Sequence, residues 1–204
     1  MTHGLILCGG GSTRFGASKA TRLVDSVSSI ELVCLRLLEA TARVLVVAAP
    51  NQELPKLPER VVVVRDLVEG LGPLNGFATG IAALPPEVDR VFLTSCDVPF
   101  LVPAFVRRVL AELGSHDIAI PVLAGITQPL AAAYRVSGLR ERVERSLAEG
   151  KRSLKSLLAG ADVNAIDAES LREVDPELRS LRSFNTPEEF EALLRDFGPI
   201  TSVS

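Results

Sequence analysis

The chain has 204 residues, a net charge of −3 and a pI near 5.5. Apolar residues make up 47% and charged residues 23%, ordinary values for a chain that buries roughly 70% of the surface its unfolded form exposes. The acidic balance argues against a nucleic-acid partner, the 4% aromatic content leaves little for base stacking, and no apolar run approaches the roughly 20 residues of a membrane span.

Cys8, Cys34 and Cys96 are odd in number and widely spaced, so they form neither a CxxC zinc pattern nor a disulfide framework. His3 and His116 are too far apart in sequence to complete a Cys/His metal site. Reduced thiols fit a cytoplasmic protein, and Met1-Thr2-His3 shows no basic region of a secretion signal. Any chemistry is therefore expected to use oxygen ligands.

In chain order, a short apolar run predicts a first strand over 4–8. Ser28-Ser29-Ile30-Glu31 reads as a capping box that opens a helix to about Arg43. Strands are predicted over 44–49 and 60–64, and their valine runs read as buried on both faces, the habit of parallel strands. An apolar helix over 74–84 and a strand over 91–95 come next. A helix over 102–113 has Pro103 in its first turn, and a strand over 117–122 follows. A weaker strand over 129–136 and a helix over 137–149 complete the alternation. Residues 159–181 show no period and are expected to be loops with a short helix. Thr186-Pro187-Glu188-Glu189 is a second capping box, for a helix to about Arg195, and 198–204 read as a flexible tail. Strand–helix alternation predicts one domain over 1–197, a three-layer α/β/α fold with a mainly parallel, Rossmann-like sheet. Ligands of such sheets bind outside the carboxyl ends of the strands.

After the first strand comes Gly9-Gly10-Gly11-Ser12-Thr13-Arg14-Phe15-Gly16-Ala17-Ser18-Lys19. Arg14 stands where a dinucleotide fingerprint needs glycine, and Ala17-Ser18 separate Gly16 from the lysine of a Walker loop. The physical content survives both mismatches. Three glycines let backbone N–H groups approach a phosphate, and Arg14 and Lys19 add a planar fork and a mobile point charge. A triphosphate is the natural guest; a glycine-rich turn with two solvated cations is the bland alternative.

Asp97 follows the 91–95 strand, and Val98-Pro99 then breaks it. A carboxylate there suits Mg²⁺, which takes one or two protein carboxylates plus substrate phosphates. The same residue also fits a cap for the 102–113 helix. Asp66 follows the all-valine strand, with Gly70, Gly72 and Gly76 close behind, so a ligand can approach the backbone; a solvated loop aspartate is the other reading. Cys8 and Cys96 read as small buried hydrophobes. Arg107, Arg108, Arg140, Arg142 and Arg145 read as exposed helix faces, the last three also within reach of an anionic second substrate.

Five strings together carry a resemblance. Leu7-Cys8-Gly9-Gly10-x-Ser12-x-Arg14-Phe15-Gly16-x-x-Lys19 resembles the first motif of the nucleotidyltransferases related to molybdenum cofactor guanylyltransferase. Asp66 followed by Gly72-Pro73-Leu74-Asn75-Gly76 resembles that family's aspartate and G-P-L-x-G. Cys96-Asp97-Val98-Pro99-Phe100, Pro129-Leu130-Ala131-Ala132-Ala133-Tyr134 and Asn185-Thr186-Pro187-Glu188 follow in the family's order, and the matches run from about Gly4 to Leu194.

The resemblance implies the nucleotide-diphospho-sugar transferase type of fold and transfer of GMP from GTP to the phosphate of the molybdopterin cofactor, with release of pyrophosphate. Catalysis would fall to Arg14, Lys19 and Asp97. The nucleotide would lie along Leu7, Cys8, Gly9, Gly10, Gly11, Lys19, Asp66, Gly72, Pro73, Leu74 and Asp97, and Mg²⁺ on Asp97 and Asn185. GTP and the molybdopterin cofactor are the implied partners, the latter delivered by a partner enzyme. A CTP-using relative, a different phosphorylated acceptor and a non-catalytic nucleotide-binding homologue are the alternatives.

The chain departs from the family in three places. Ala20 to Ser28 lack the family's glycines, so the turn there must be built on Asp25-Ser26. Ser183 replaces an asparagine. Only Asn51 falls near the polar residue expected after the 44–49 strand.

Overall fold

The computed structural model describes residues 1–9, 19–68 and 70–198. Strand β1 (Thr2–Leu7) lies in the middle of the sheet, and every residue from His3 to Leu7 is buried. It pairs in parallel with β4 (Arg43–Ala48) on one side and β6 (Arg90–Ser95) on the other. The valine strand β5 (Val61–Arg65) is parallel to β4 and closes one edge. Beyond β6 come β9 (Ala132–Arg135), β7 (Ile118–Leu123) and β10 (Val163–Asp167), with the short β8 (Ile126–Thr127) folded back on β7. Among the described strands of this sheet only β8 and β9 run antiparallel, so the carboxyl ends of its other six strands share one side.

Side chains alternate across the sheet and divide the core in two. Ile6, Val44, Val46 and Phe92 pack under α1 (Ser29–Leu38) and α3 (Pro103–Glu112). Leu5, Leu7, Leu45, Val47, Val91 and Leu93 pack under α2 (Pro73–Ala82) and α4 (Val136–Ala148). The central runs are apolar on successive residues because both faces are covered. A third cluster, with Val24, Phe100, Phe184 and Phe190, seats α5 (Pro187–Phe197) beside the hairpin of β2 (Leu23–Val24) and β3 (Val27–Ser28). This is the three-layer architecture expected.

Several expectations need correction. The first helix ends at Leu38, not near Arg43: the Thr41 backbone and hydroxyl both fold onto the Leu37 carbonyl, and Arg43 opens β4. The all-valine strand is not buried on both faces. It is an edge, and Val62 and Val63 are exposed because no strand or helix covers them fully. The weak 129–136 strand is a 3₁₀ turn over Pro129–Ala131 and an antiparallel strand from Ala132. Residues 159–181 hold β10, parallel to β7, as well as 3₁₀ turns. Arg142 is not an exposed face residue; its guanidinium donates to the carbonyls of Ala159 and Gly160 and is occupied by that loop.

Both expected N-caps form. The Ser28 hydroxyl accepts from the Glu31 N–H at the start of α1, and the Thr186 hydroxyl accepts from the Glu189 N–H at the start of α5. The β2–β3 turn is built on Asp25 and Ser26, both at positive φ (49° and 73°), a mirror-image turn made without glycine. Of the expected tail, Gly198 caps α5 and 199–204 lie outside the described residues.

Candidate active site

The carboxyl ends of β1, β4, β5 and β6 meet on one side of the sheet. The Cys8 N–H donates to the Val47 carbonyl (2.8 Å) and the Cys96 N–H to the Leu7 carbonyl (3.2 Å), so the chain leaves β1 directly beside the end of β6. Gly9 is confined there: a Cβ on it would lie 2.9 Å from the Ala49 backbone nitrogen. Only glycine lets the first loop pass this close to the end of β4.

Asp97 lies one residue past Cys96. The Ser95 hydroxyl donates to one carboxylate oxygen, Oδ1 (2.5 Å), and the Lys19 ammonium to the other, Oδ2 (3.1 Å). The same ammonium donates to Oδ1 of Asn185 (2.8 Å). Lys19 begins a 3₁₀ turn, Lys19–Thr21, whose Ala20 is buried and anchors it to the core under α1. Asn185 is brought in by its neighbour: the Phe184 N–H donates to the Asp97 carbonyl (3.2 Å), and the buried Phe184 ring rests on Phe190 with 4.8 Å between centroids. The Ser29 hydroxyl donates to the Cys96 carbonyl (2.6 Å), tying this corner to α1. Asp97 is not the cap of α3; Val102 holds that position. Asn185 also takes part in the turn into α5, since its own N–H is held by the Glu189 carboxylate as that helix begins.

Asp66 stands at the end of β5, its N–H on the Ala48 carbonyl (2.9 Å). It is no solvated loop residue. Its Oδ1 accepts from the Thr79 hydroxyl (2.5 Å) and the Asn75 amide (3.3 Å), both on α2. Gly72 caps that helix at φ 89°, and a Cβ there would lie 2.9 Å from the Arg152 Cβ. Pro73 is the first residue of α2, and buried Leu74 donates its N–H to the Arg152 carbonyl (3.0 Å). A Cβ on Gly76 would touch Leu7 (3.3 Å) and the free oxygen of Asp66 (3.7 Å), so this stretch of α2 lies against the end of β1.

The structure corrects the residue expected after β4. Asn51 is exposed, and the neighbouring Gln52 turns inward instead. Its carbonyl oxygen accepts from the Ala49 N–H (3.1 Å) and its amide donates to the Cys8 sulfur (3.2 Å). Cys8 and Cys96 are free and buried, as is Cys34. Its contact with the Cys8 thiol and its burial hold the Cys96 thiol well above the usual range, and burial pushes Cys34 up to about 12. Neither group is an available nucleophile.

Of the predicted site residues, Lys19, Asp97 and Asn185 come together, with Leu7, Cys8 and Gly9 alongside. Asp66, Gly72, Pro73 and Leu74 form a second group across β1 and β4. Gly10, Gly11 and Arg14 lie outside the described residues. Ser95, Phe184, Thr79, Asn75 and Gln52 were missed as supporting residues. Among the described residues no three His, Cys, Asp or Glu side chains group as a metal site. Nor is any helix long and apolar enough to cross a membrane.

A mainly parallel sheet with Gly9, a lysine and an acid–amide pair at its carboxyl edge defines an α/β protein whose site lies where such sheets bind their ligands. The chain belongs to the family of the MobA-like NTP transferase domain, whose model matches residues 4–167. It is similar to the molybdenum cofactor guanylyltransferase of Desulfosudis oleivorans, at 33% identity over 92% of both chains. A probable molybdenum cofactor guanylyltransferase of Mycolicibacterium paratuberculosis is 32% identical over 93% of both. The molybdopterin-guanine dinucleotide biosynthesis protein A of Archaeoglobus fulgidus shares the fold, with a TM-score of 0.73 at 23% identity, covering 94% of this chain and 96% of that one.

Proposed function

We propose that residues 1–197 form one cytoplasmic nucleotidyltransferase domain that transfers GMP from GTP to the terminal phosphate of the molybdopterin cofactor. The observation that carries this reading is the meeting of Lys19, Asp97 and Asn185 at the carboxyl edge of the sheet. The names of the family's members supply the acceptor, and its delivery by a partner enzyme belongs to the same proposal. Three free cysteines suit a reducing compartment.

An oxygen of the acceptor phosphate attacks the α-phosphorus in line. The new P–O bond forms as the bond to the β-phosphate breaks, and pyrophosphate leaves. The attacking oxygen is already anionic near neutral pH, so no strong general base is needed and catalysis is positioning plus charge neutralisation. The backbone of Gly9, Gly10 and Gly11 and the cations of Arg14 and Lys19 hold the triphosphate. Leu7, Cys8, Asp66, Gly72, Pro73 and Leu74 line the rest of the nucleotide. Asp97 and Asn185 fit Mg²⁺, because two hard oxygen donors converge on one point that already holds a positive charge. The metal's contribution is to neutralise charge on the α-phosphate and the leaving group.

Binding calorimetry with GTP, CTP and ATP in the presence of Mg²⁺ tests the nucleotide, followed by transfer of radiolabelled GMP to the acceptor. GTP is expected to bind tightest and the label to move. CTP binding more tightly would overturn the guanylyl assignment. Saturable binding without transfer would leave a non-catalytic nucleotide-binding protein.

A further inference from the structure

We propose that Lys19 is a displaceable internal cation: it blocks the Asp97–Asn185 pair in the free protein, so that a divalent cation binds tightly only together with the nucleotide. This rests on the reading of that pair as the metal site.

Lys19 donates to Oδ2 of Asp97 (3.1 Å) and to Oδ1 of Asn185 (2.8 Å), the two oxygens that would face a metal. The other oxygen of Asp97 is held by the Ser95 hydroxyl, so exchange of one cation for another takes place at Oδ2. The two side chains are only 20% and 16% exposed, and solvent screens such a pair less than an open surface pair. A divalent cation arriving alone has to break both bonds and then sit beside the ammonium it displaced. A triphosphate changes the balance by offering Lys19 its own oxygens. The ammonium is a point charge on a flexible four-carbon stem and can follow them, which frees Oδ2. Metal and nucleotide then favour each other's binding beyond the direct bond between them, and the coupling is reciprocal.

The test is Mn²⁺ binding to the whole protein with no nucleotide present, read from the electron paramagnetic resonance signal of free Mn²⁺. Wild type is expected to bind weakly. Lys19→Met is expected to bind about tenfold more tightly, within the usual range of coupled sites. Lys19→Gln, which loses the charge but keeps an amide donor for Asn185, serves as a second variant if the first folds poorly. Lys155→Met controls for charge alone, because Lys155 is an exposed lysine on the separate turn Leu154–Leu158. It is expected to leave Mn²⁺ affinity within about twofold of wild type, far below the coupling expected of Lys19. Adding Asp97→Ala to Lys19→Met is expected to abolish the gain. Equal Mn²⁺ affinity in wild type and Lys19→Met would overturn the proposal, and so would an equal gain in Lys155→Met. The titration contains no nucleotide, so a failure of the guanylyl reading in calorimetry is distinguishable from a failure here.

Discussion

Two aspartates end two strands of one sheet and are held in opposite ways. Asp97 is paired with a charge on a flexible stem, the Lys19 ammonium, which also donates to the Asn185 amide oxygen. Asp66 is paired with neutral dipoles on a helix, the Thr79 hydroxyl and the Asn75 amide. A mobile cation can be exchanged for another cation. Short side chains on a helix have little reach, so they fix a carboxylate as a standing acceptor. On the proposed reading, charge chemistry falls to the end of β6 and nucleotide positioning to the end of β5.

The largest effect should come from Asp97. Asp97→Ala is expected to lower GMP transfer about a thousandfold, in line with loss of a group that stabilises transition-state charge. Asp97 lies outside the apolar clusters, so the circular dichroism spectrum should stay near wild type. Transfer within a factor of a few of wild type would remove Asp97 from the metal site. Asp66→Ala should behave differently. It is expected to raise KM for GTP about tenfold while kcat changes little, the pattern of lost uniform binding. A fall in kcat as large as that of Asp97→Ala would erase the distinction between the two carboxylates.

Next in size is Gly72→Ala, which tests whether the Asp66 side is rigid. The residue sits at φ 89°, and a methyl group there meets the Arg152 Cβ at 2.9 Å. The expected loss is about 1–3 kcal/mol of unfolding free energy, measured by urea denaturation, with weaker GTP binding. An unchanged denaturation midpoint would show that the loop yields, and that Asp66 is not held by a fixed helix end.

Much of this was legible in the sequence, and for physical reasons. The central strands read correctly because residues buried on both faces leave a continuous apolar run, as in Leu5-Ile6-Leu7. The edges did not. β10 buries only Ile166 among its five residues and shows no run to read, while the valines of β5 carry the composition of a central strand at the sheet's margin. Asp97 was visible as the residue after a strand. Its partnership with Asn185 was legible only through the family resemblance, because no local pattern carries it: it depends on the Phe184 backbone and its aromatic packing far along the chain. Gln52 was missed because two adjacent amides follow β4 and only the turn's geometry decides which points inward.

The smallest effects separate the two donors of Asp66. Thr79 approaches at 2.5 Å and Asn75 at 3.3 Å, so the hydroxyl bond is the stronger of the two. Thr79→Val keeps the shape of the side chain and removes the donor. It should cost about 1.5 kcal/mol, the lower end of the range for a bond to a charged group. KM for GTP should rise about threefold with kcat unchanged, since the carboxylate keeps its charge and loses only its aim. Asn75→Ala should cost less than about 0.5 kcal/mol, because its bond is long and water can replace it. The order matters more than either value. If Asn75→Ala weakened GTP binding more than Thr79→Val, the Asn75 amide would be contacting the nucleotide itself. Asp66 would then be the support and Asn75 the residue that reads the ligand.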